Sequence, residues 1–303
     1  MALKAKREAF YVLPSALCSM HLPPQFSPKK SLGQNFLIDE NIARKMVQLI
    51  APQPEDTIVE IGPGFGVLTK YLIPLGCRYI GIEIDERLAP LLQNEYAAFP
   101  RAEILHQDFR KVDLAVLAPG SKLRLVGNIP YHLTSSIVFA AFAQHEVLRD
   151  MTLTVQKEVA DRIVAEAKTS GKEYGILSVI SQTFAKTEIL FTMSPHVFRP
   201  KPEVDSAVVR WTFQPPPENL LEVDFYVRMV KTIFGQRRKT LRRSLAAFLG
   251  KEISMAVPVD LQRRPETLSV RELMQLANAL ILGQDNDGRS GSPGNSGGRE
   301  LSD

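Results

Sequence analysis

The stretch Asn128-Ile129-Pro130-Tyr131 holds the residue types in this 303-residue chain that are best suited to chemistry. It offers an amide side chain, backbone carbonyls beside a proline that has no N–H to donate, and a flat aromatic ring. The amide oxygen and a carbonyl can accept the two N–H bonds of an amino group on a flat heterocycle, and the ring can stack on that heterocycle. The alternative is an ordinary turn, because Asn and Pro are common turn residues and Tyr is a common anchor.

A buried strand must position this stretch. The apolar run Leu123–Gly127 precedes it directly, so the stretch lies at the carboxyl end of a strand, where open α/β sheets bind ligands. Strand-like and helix-like segments alternate here, which predicts a parallel, doubly wound sheet. The predicted strands are Thr57–Ile61, Tyr79–Ile84, Ala102–His106, Leu123–Gly127 and Met151–Val155. The predicted helices are Ile38–Ile50 with Asp39 as N-cap, Val67–Leu75, Arg87–Tyr96, Ser135–Gln144 and Lys157–Glu166.

The remainder of the sequence predicts an antiparallel edge to the sheet, a linker and a separate helical domain. Two later strands, Glu188–Met193 and Ala207–Phe213, can form an antiparallel hairpin at the sheet edge and complete a domain over residues 28–213. A proline-rich linker at 214–218 then leads to a small helical domain at 219–282. Its predicted helices are Val223–Phe234, Lys239–Leu249, a short Pro258–Leu261 and Val270–Leu282. Residues 1–27 predict a loose leader, and 283–303, rich in Gly, Ser, Asn and Asp, predict a disordered tail.

Composition excludes several classes of protein. The chain is 45% hydrophobic, enough for a sizeable core, and its formal charge of +4 suits a polyanionic partner. The two cysteines, Cys18 and Cys77, are too few for a disulfide framework or a cysteine-based metal site. No stretch approaches the ~20 apolar residues of a membrane span. We therefore expect a protein of the reducing cytoplasm, without a metal and without a membrane partner. We also expect a monomer.

A glycine loop, Glu60-Ile61-Gly62-Pro63-Gly64-Phe65-Gly66, follows the first predicted strand. A dinucleotide fingerprint would need its third glycine at Val67, but the third glycine here is Gly66. The loop instead resembles the acid-x-Gly-x-Gly-x-Gly loop of S-adenosylmethionine-dependent methyltransferases. Gly62 and Gly64 allow the backbone to approach such a ligand closely, and Glu60 could attract its ammonium group directly or through water.

Two more acids follow the next two strands. Glu83 ends the second strand, where an acid can accept hydrogen bonds from both ribose hydroxyls. Asp108 follows the third strand and can accept from an adenine amino group. Each acid alone could be a solvated loop charge. Three acids after three consecutive strands, together with the glycine loop, favour a cofactor site.

Five motifs occur together in one order: Ser31-Leu32-Gly33-Gln34-Asn35-Phe36-Leu37, the Gly62 loop, Asn128–Tyr131, Ser194-Pro195-x-x-Phe198-x-Pro200-x-Pro202-x-Val204-x-Ser206, and Phe234–Leu241. Over about residues 28–282 the chain thereby resembles the KsgA/RsmA-type rRNA adenine N6-dimethyltransferases. The resemblance implies a Rossmann-like S-adenosylmethionine methyltransferase sheet with a small C-terminal all-helical domain. It also implies N6,N6-dimethylation of two adjacent adenosines in the 3′-terminal hairpin loop of 16S rRNA, during late assembly of the small ribosomal subunit.

The resemblance also implies roles for single residues. Asn35 and Leu37 would lie beside the cofactor, as would Gly62, Glu83 and Asp108, which match the family's cofactor positions. Asn128 would lie between cofactor and target base, and its oxygen would accept from the adenine amino group together with the carbonyl of Ile129 or Pro130.

Aromatic side chains would hold the target base. Tyr131 would stack on one face, and Phe198 is the candidate for the other, although a hydrophobic loop anchor is the alternative for Phe198. His132 stands where the family often has Asn; we expect it to be structural, because the reaction needs no general base.

A cationic run without acids spans residues 231–243. Pairs such as Arg238 with Arg242 repel one another at i,i+4 on a helix, and a polyanion would relieve that repulsion. The alternative is a solvated helix face. The predicted RNA-binding residues are Lys231, Arg237, Arg238, Lys239, Arg242 and Arg243.

Three other functions compete with this interpretation. An antibiotic-resistance type of enzyme methylates a large-subunit rRNA adenine with nearly the same catalytic motif, but the long C-terminal domain favours the small-subunit type. A non-catalytic assembly or transcription factor could keep the fold, but the intact Glu83, Asp108 and Asn128 argue against it. A small-molecule or DNA amino-methyltransferase is the third alternative.

Overall fold

The computed structural model describes residues 26–289, apart from 118, 168, 170 and 217. The described residues form two compact units, one of residues 26–164 with 184–215 and the other of residues 165–183 with 216–289. Of the predicted leader, residues 1–25 lie outside the described residues, whereas Phe26 and Ser27 are described. Of the predicted tail, residues 290–303 lie outside them, whereas 283–289 continue the last helix, so the disorder predicted for that part is wrong.

The first unit, here called the sheet unit, holds a seven-stranded sheet and a two-stranded sheet. The strands are β1 (Phe36–Leu37), β2 (Thr57–Ile61), β3 (Arg78–Glu83), β4 (Ala102–His106), β5 (Leu123–Asn128), β6 (Leu148–Gln156), β7 (Ala185–Met193), β8 (Phe198–Arg199) and β9 (Ser206–Phe213). The large sheet has the order β4-β3-β2-β5-β6-β9-β7, and the small one pairs β1 with β8.

The central strands explain the sheet's layered packing. Every residue of β2 is buried, as a parallel strand covered on both faces requires. The neighbours β3 and β5 run parallel to β2, so their carboxyl ends meet at one edge. The predicted antiparallel pair is present, with β7 at the sheet edge and β9 between β7 and β6. The predicted doubly wound methyltransferase-type fold is confirmed.

Helices α1 (Glu40–Ile50), α2 (Thr69–Leu72), α3 (Ala89–Glu95), α4 (Thr134–Phe142) and α5 (Lys157–Val164) connect these strands. The predicted N-cap of α1 is present: the Asp39 carboxylate accepts from the N–H groups of Asn41 and Ile42 at 2.8 and 3.1 Å. The helix predicted over Val67–Leu75 is wrong in length. Only α2 is α-helical, and a 3₁₀ turn with a proline in its first positions, Ile73–Leu75, ends it.

A buried ion cluster joins the amino ends of three strands, on the side of the sheet away from the predicted site. The Arg124 guanidinium binds Asp56 at 2.7 Å and Asp150 at 2.9 Å. It also donates to the Ile50 carbonyl at 2.7 Å, so it closes the C-terminal end of α1. Its charge is therefore fully compensated inside the fold.

The second unit, here called the helical unit, contains α6 (Ile176–Phe184, of which the last residue belongs to the sheet unit), α7 (Val223–Gly235), α8 (Leu241–Leu249) and α9 (Val270–Arg289). The sequence had assigned residues 165–183 to the sheet domain, but they cluster with these helices. Tyr174 shows the reason: it is buried, its hydroxyl donates to the Leu268 carbonyl at 3.0 Å, and its ring contacts Phe234.

The short helix predicted at Pro258–Leu261 is wrong. The segment from Leu261 to Arg263 instead caps the start of α8. The N–H groups of Leu241 and Arg242 donate to the carbonyls of Arg263 and Leu261, each at 2.9 Å. Those carbonyls satisfy donors that a helix N-terminus leaves free, so the segment caps α8 rather than forming a helix of its own.

No helix among residues 26–289 is long and apolar enough to cross a membrane. The described residues also contain no group of three His, Cys, Asp or Glu side chains arranged to hold a metal ion. Cys77 is buried as a free thiol, and Cys18 lies outside the described residues.

Candidate active site

A cavity opens at the carboxyl ends of β2, β3 and β5, the edge at which the sequence predicted a ligand site. It contains about 920 Å³ of empty space, its open mouth included. The predicted residues that line it are Asn35, Leu37, Glu60, Gly62, Gly64, Glu83, Asp108, Asn128 and Pro130.

The glycine loop after β2 turns sharply because its glycines adopt left-handed backbone conformations. The angle φ is +61° at Gly64 and +72° at Gly66. A Cβ atom at Gly64 would lie 3.0 Å from the Phe36 ring, and one at Gly66 would lie 2.9 Å from the Tyr96 hydroxyl. Any larger residue would therefore push the loop away from its neighbours.

Glu83 is held beneath this loop by backbone N–H groups. Gly64 donates to its Oε2 at 3.0 Å and Asp85 to its Oε1 at 2.9 Å. Burial raises the pKa of Glu83, and these hydrogen bonds oppose that rise. Each carboxylate oxygen can accept a second hydrogen bond, so Glu83 retains acceptor capacity for a pair of hydroxyls in the cavity.

Glu60 lies completely buried at the base of the cavity, an environment that the sequence did not predict. Its Oε2 accepts from the Thr69 hydroxyl at 2.8 Å and from the Tyr79 hydroxyl at 2.7 Å. Burial raises the pKa of Glu60 to about 7, and the negative charge of Glu83 adds to the rise. The charge of Glu60 near neutral pH therefore depends on what occupies the cavity.

Asp108 shares its carboxylate with Arg110. The Arg110 backbone N–H donates to Oδ1 at 3.0 Å, and its guanidinium donates to Oδ2 at 2.6 Å. The hydrogen bond from this cation is the main reason that the pKa of Asp108 is lowered. Both residues line the cavity. A contact between Asp108 and an adenine amino group stays a prediction, and Arg110 would compete for the same oxygens.

Asn128, at the end of β5, is fixed in orientation by the segment before α1. Its Nδ2 donates to the Asn35 carbonyl at 2.8 Å. Because the amide nitrogen is engaged, Oδ1 is the end left to accept from a ligand. Gly127 permits the close packing beneath it, since a Cβ there would lie 2.6 Å from the Ile61 carbonyl oxygen.

The other residues of the tetrapeptide Asn128–Tyr131 differ in whether they line the cavity or pack in the interior. Pro130 lines the cavity, whereas Ile129 is buried. Tyr131 begins a 3₁₀ turn, and its hydroxyl lies 2.5 Å from the Ser206 hydroxyl. Burial raises the pKa of Tyr131, so the phenol remains neutral. Base stacking by Tyr131, which is not part of the cavity lining, stays a prediction.

Phe198 lies in the hydrophobic core of the sheet unit. Its side chain is 3% exposed and belongs to a cluster that includes Leu37, Met193 and Val208. The pairing of β8 with β1 sets Phe198 opposite Leu37. This burial supports the alternative of a hydrophobic anchor, and it leaves the Phe198 ring without an exposed face for a base in this structure.

His132 packs against the turn before β1. A Cβ at Gly33, where φ is +60°, would lie 2.4 Å from Nδ1 of His132. The imidazole is not part of the cavity lining. These contacts support the structural role expected for His132.

The segment before α1 is clamped over the glycine loop, a feature that the sequence did not predict. Gln34 donates to Asp85 at 2.8 Å. Arg87 binds the same carboxylate at 2.6 Å and donates to the Ser27 carbonyl at 3.0 Å. Three aromatic rings pack edge to face at this contact: Phe26, Phe36 and Phe65. The segment therefore forms one wall of the cavity.

The predicted RNA-binding cations all lie in the helical unit. Arg237 is half-buried and donates to the carbonyls of Lys172 and Tyr174 at 2.9 and 3.2 Å. Its guanidinium therefore holds a neighbouring loop in place. The other predicted cations are exposed: Lys231, Arg238, Lys239, Arg242 and Arg243.

Comparison with known proteins identifies the family. The family model described as ribosomal RNA adenine dimethylase matches residues 25–281. A ribosomal RNA small subunit methyltransferase A from Salinibacter ruber is 45% identical over 275 residues, which are 89% of this chain and 90% of that protein. The chain belongs to the ribosomal RNA adenine dimethylase family. A second relative of the same name, from Desulfitobacterium hafniense, is 43% identical over 84% of this dimethylase and 93% of its own length.

Solved structures show the same fold as this dimethylase. A dimethyladenosine transferase from Plasmodium falciparum matches with a TM-score of 0.65 and 22% identity, over 84% of this chain and 98% of that one. The 23S rRNA methyltransferase ErmE matches with a TM-score of 0.61 and 24% identity, over 82% and 100%. Membership of this family makes the protein an rRNA adenine dimethyltransferase, and it implies S-adenosylmethionine as methyl donor.

Proposed function

We propose that this dimethylase transfers methyl groups from S-adenosylmethionine to N6 of two adjacent adenosines in the 3′-terminal hairpin loop of 16S rRNA, during assembly of the small subunit. The small-subunit relatives at 40–45% identity favour 16S rRNA over the large-subunit target named for ErmE, whose likeness concerns the fold. The observation that carries the proposal is the hydrogen bond from Asn128 to Asn35, which leaves an amide oxygen in the cavity as acceptor.

The cavity residues fit S-adenosylmethionine. Glu83 has acceptor capacity for a ribose diol, Asp108 for an adenine amino group, and the buried Glu60 offers negative charge for an ammonium group. The glycine loop has no room for side chains at Gly64 and Gly66. Bound there, S-adenosylmethionine supplies a methyl group on a positively charged sulfur, an electrophile that needs no further activation.

Asn128 acts on the nucleophile. The lone pair of an adenine amino nitrogen is delocalised into the ring, so the nitrogen is a poor nucleophile. A hydrogen bond from N6–H to Asn128 Oδ1, and a second to the carbonyl of Ile129 or Pro130, localise that lone pair and aim it. Positioning supplies most of the rate enhancement. After transfer the nitrogen is acidic and releases its proton to water, so no strong base is needed.

The second methylation places a demand on the same acceptors. A monomethylated amine has one N–H left, so either Asn128 or the carbonyl binds it, but not both. The site then orients the monomethyl amine through a single bond, or the product rebinds after rotation about the C6–N6 bond.

The RNA must present its target base outside a stack, because the cavity cannot admit a paired base. A hairpin loop meets that need. The exposed cations of the helical unit, among them Arg238 and Arg242, contact the phosphates of the RNA backbone without sequence preference. We expect the enzyme to act as a monomer in the cytoplasm, where the small subunit assembles.

Labelled methyl transfer tests the proposal. The substrates are small subunits and naked 16S rRNA, both isolated without methylation at the two adenosines, with 23S rRNA as a control. We expect labelled N6,N6-dimethyladenosine at both positions of the 16S hairpin loop. Label on 23S rRNA, or label elsewhere in 16S rRNA, would overturn the assigned substrate. Absence of transfer, despite binding of S-adenosylhomocysteine, would leave the family's chemistry unproven for this chain.

A further inference from the structure

Arg199 differs from the other arginines of the sheet unit. Among the described residues, it is the arginine of that unit whose side chain shows neither a hydrogen bond nor an ion pair. Apart from Arg101, each of the others pairs with an acid, and Arg101 donates to the Pro54 carbonyl. The Arg199 side chain is exposed. An uncompensated cation in a fold that pairs its other arginines indicates a charge kept for a ligand.

The pairing of β8 with β1 places Arg199 near the residues that orient Asn128. In the pairing of β1 with β8, Arg199 lies opposite Phe36. Phe36 follows Asn35, whose carbonyl holds the Asn128 amide. Since paired strands lie ~5 Å apart, the Arg199 backbone is adjacent to the cavity wall that orients Asn128.

The loop that follows Arg199 is tied to the same site at its other end. Ser206, where β9 begins, contacts the Tyr131 hydroxyl at 2.5 Å. Between these two attachments Lys201 is exposed, and its Nζ lies 3.4 Å from Nε2 of His196. No ion pair joins Lys201 to the exposed acids of this loop, Glu203 and Asp205, among the described residues. The loop therefore presents two cations without a carboxylate partner, Arg199 and Lys201, close to the Asn128–Tyr131 motif.

A flipped adenosine carries its backbone to the mouth of the cavity. Its base enters, but the two phosphates that flank it stay outside and need counter-charge there. Arginine suits this task, because its planar guanidinium can donate two parallel hydrogen bonds to one phosphate. None of the cations predicted from the sequence to bind RNA belongs to this loop.

We propose that Arg199 binds a phosphate of the RNA strand next to the target adenosine, and that Lys201 adds positive charge at the same loop. This inference rests on the rRNA substrate proposed above. Arg199 is thus a binding residue that sets the register of the flipped nucleotide, without reading its sequence.

The test compares Arg199→Ala with Arg101→Ala, which removes the same charge at the amino ends of the strands, on the opposite edge of the sheet. The probes are the 16S hairpin RNA and a single-stranded oligoadenylate, each titrated over a range of salt concentrations. We expect Arg199→Ala to weaken hairpin binding roughly tenfold, as for a lost charge-assisted hydrogen bond. On oligoadenylate, the slope of log K against log salt should fall by about 0.7, as for one released counterion.

Three further readouts separate binding from structure. The affinity for S-adenosylhomocysteine and the melting temperature should match those of the wild type, and Arg199→Lys should retain the salt slope. An oligoadenylate slope unchanged in Arg199→Ala would overturn the inference, as would an equal loss of S-adenosylhomocysteine affinity. Failure of the 16S assignment would show separately, as absence of wild-type methylation of that hairpin.

Discussion

The Asn128 side-chain nitrogen donates a hydrogen bond to the Asn35 backbone carbonyl at 2.8 Å, across 93 positions of sequence. An isolated amide could turn either end toward a ligand, but this bond selects the oxygen. A donor at that place would face the N6–H groups of adenine and repel them, whereas an acceptor localises the amine lone pair. The segment before α1 therefore takes part in the chemistry through a backbone atom.

Replacing Asn128 by Ala should lower methyl transfer by about 100-fold or more, the scale seen when one preorganised polar contact is removed from an active site. Binding of S-adenosylhomocysteine, measured by calorimetry, should largely persist, because Glu83 and the glycine loop remain. Asn41→Ala, at the exposed start of α1, is the matched control. Undiminished dimethylation in Asn128→Ala would contradict the role of Asn128 as acceptor for the adenine amino group.

Glu60 should make the ligand-free protein less stable as pH rises. Its carboxyl has an ordinary pKa of 4.5 in the unfolded chain and about 7 in the fold. Between these values the native state holds a proton that the unfolded state has lost, so the free energy of unfolding falls with pH. The total loss is roughly 3 kcal/mol, at 1.36 kcal/mol per pKa unit.

Urea denaturation between pH 4 and 8 measures this effect as the difference between wild type and Glu60→Gln, which keeps the hydrogen-bonding oxygen. The free energy of unfolding of the variant should depend less on pH, so at pH 8 the variant should be more stable relative to the wild type than at pH 4. A positively charged ligand in the cavity should favour the ionised Glu60, so binding should release protons near pH 7, as calorimetry in two buffers would show. Parallel stability profiles would contradict the assignment.

Substitution of Arg237 should change stability, whereas substitution of Arg242 should change RNA binding. Arg237→Ala removes donors from the carbonyls of Lys172 and Tyr174, so it should lower the free energy of unfolding by about 1–3 kcal/mol. It should leave the salt dependence of RNA binding nearly unchanged. Arg242→Ala, at an exposed position, should leave stability intact and reduce the salt slope. Equal salt slopes for the two variants would contradict the assignment of Arg237 to structure and of Arg242 to RNA binding.

Arg124→Ala should destabilise the sheet unit by about 3–5 kcal/mol, because it leaves Asp56 and Asp150 as buried charges without their main cation. Arg149, which also binds Asp56 but has a side chain 55% exposed, is the control. Its change to Ala should cost less than about 1 kcal/mol. Chemical denaturation of both variants checks the contrast, and similar losses would show that burial does not decide the cost.

The sequence predicted those features that short stretches specify. The Asp39 cap, the glycine loop and the parallel strands follow from local pattern, and so does the placement of Glu83 and Asn128 at strand ends. The two-residue pairing of β1 with β8 was missed, because its partners are more than 150 positions apart and too short to show a periodicity.

Roles decided by tertiary contacts were also out of reach. Arg237 stands in a cationic run like its neighbours, yet nearby carbonyls bind it. Phe198 belongs to a recognisable motif, yet the core buries its ring. Charge and aromaticity predict what a side chain can do, but the neighbours it meets in the fold determine whether it remains exposed.

The pairing of β1 with β8 also makes one wall of the cavity easier to open than the wall formed by the large sheet. A two-residue ladder contributes few backbone hydrogen bonds, whereas β2 and β5 are held on both sides by a continuous sheet. Local opening follows the least supported element. Amide protons of Phe36 and Leu37 should consequently exchange with solvent faster than those of β2, so the cavity wall that carries Asn35 should open locally while the large sheet stays folded.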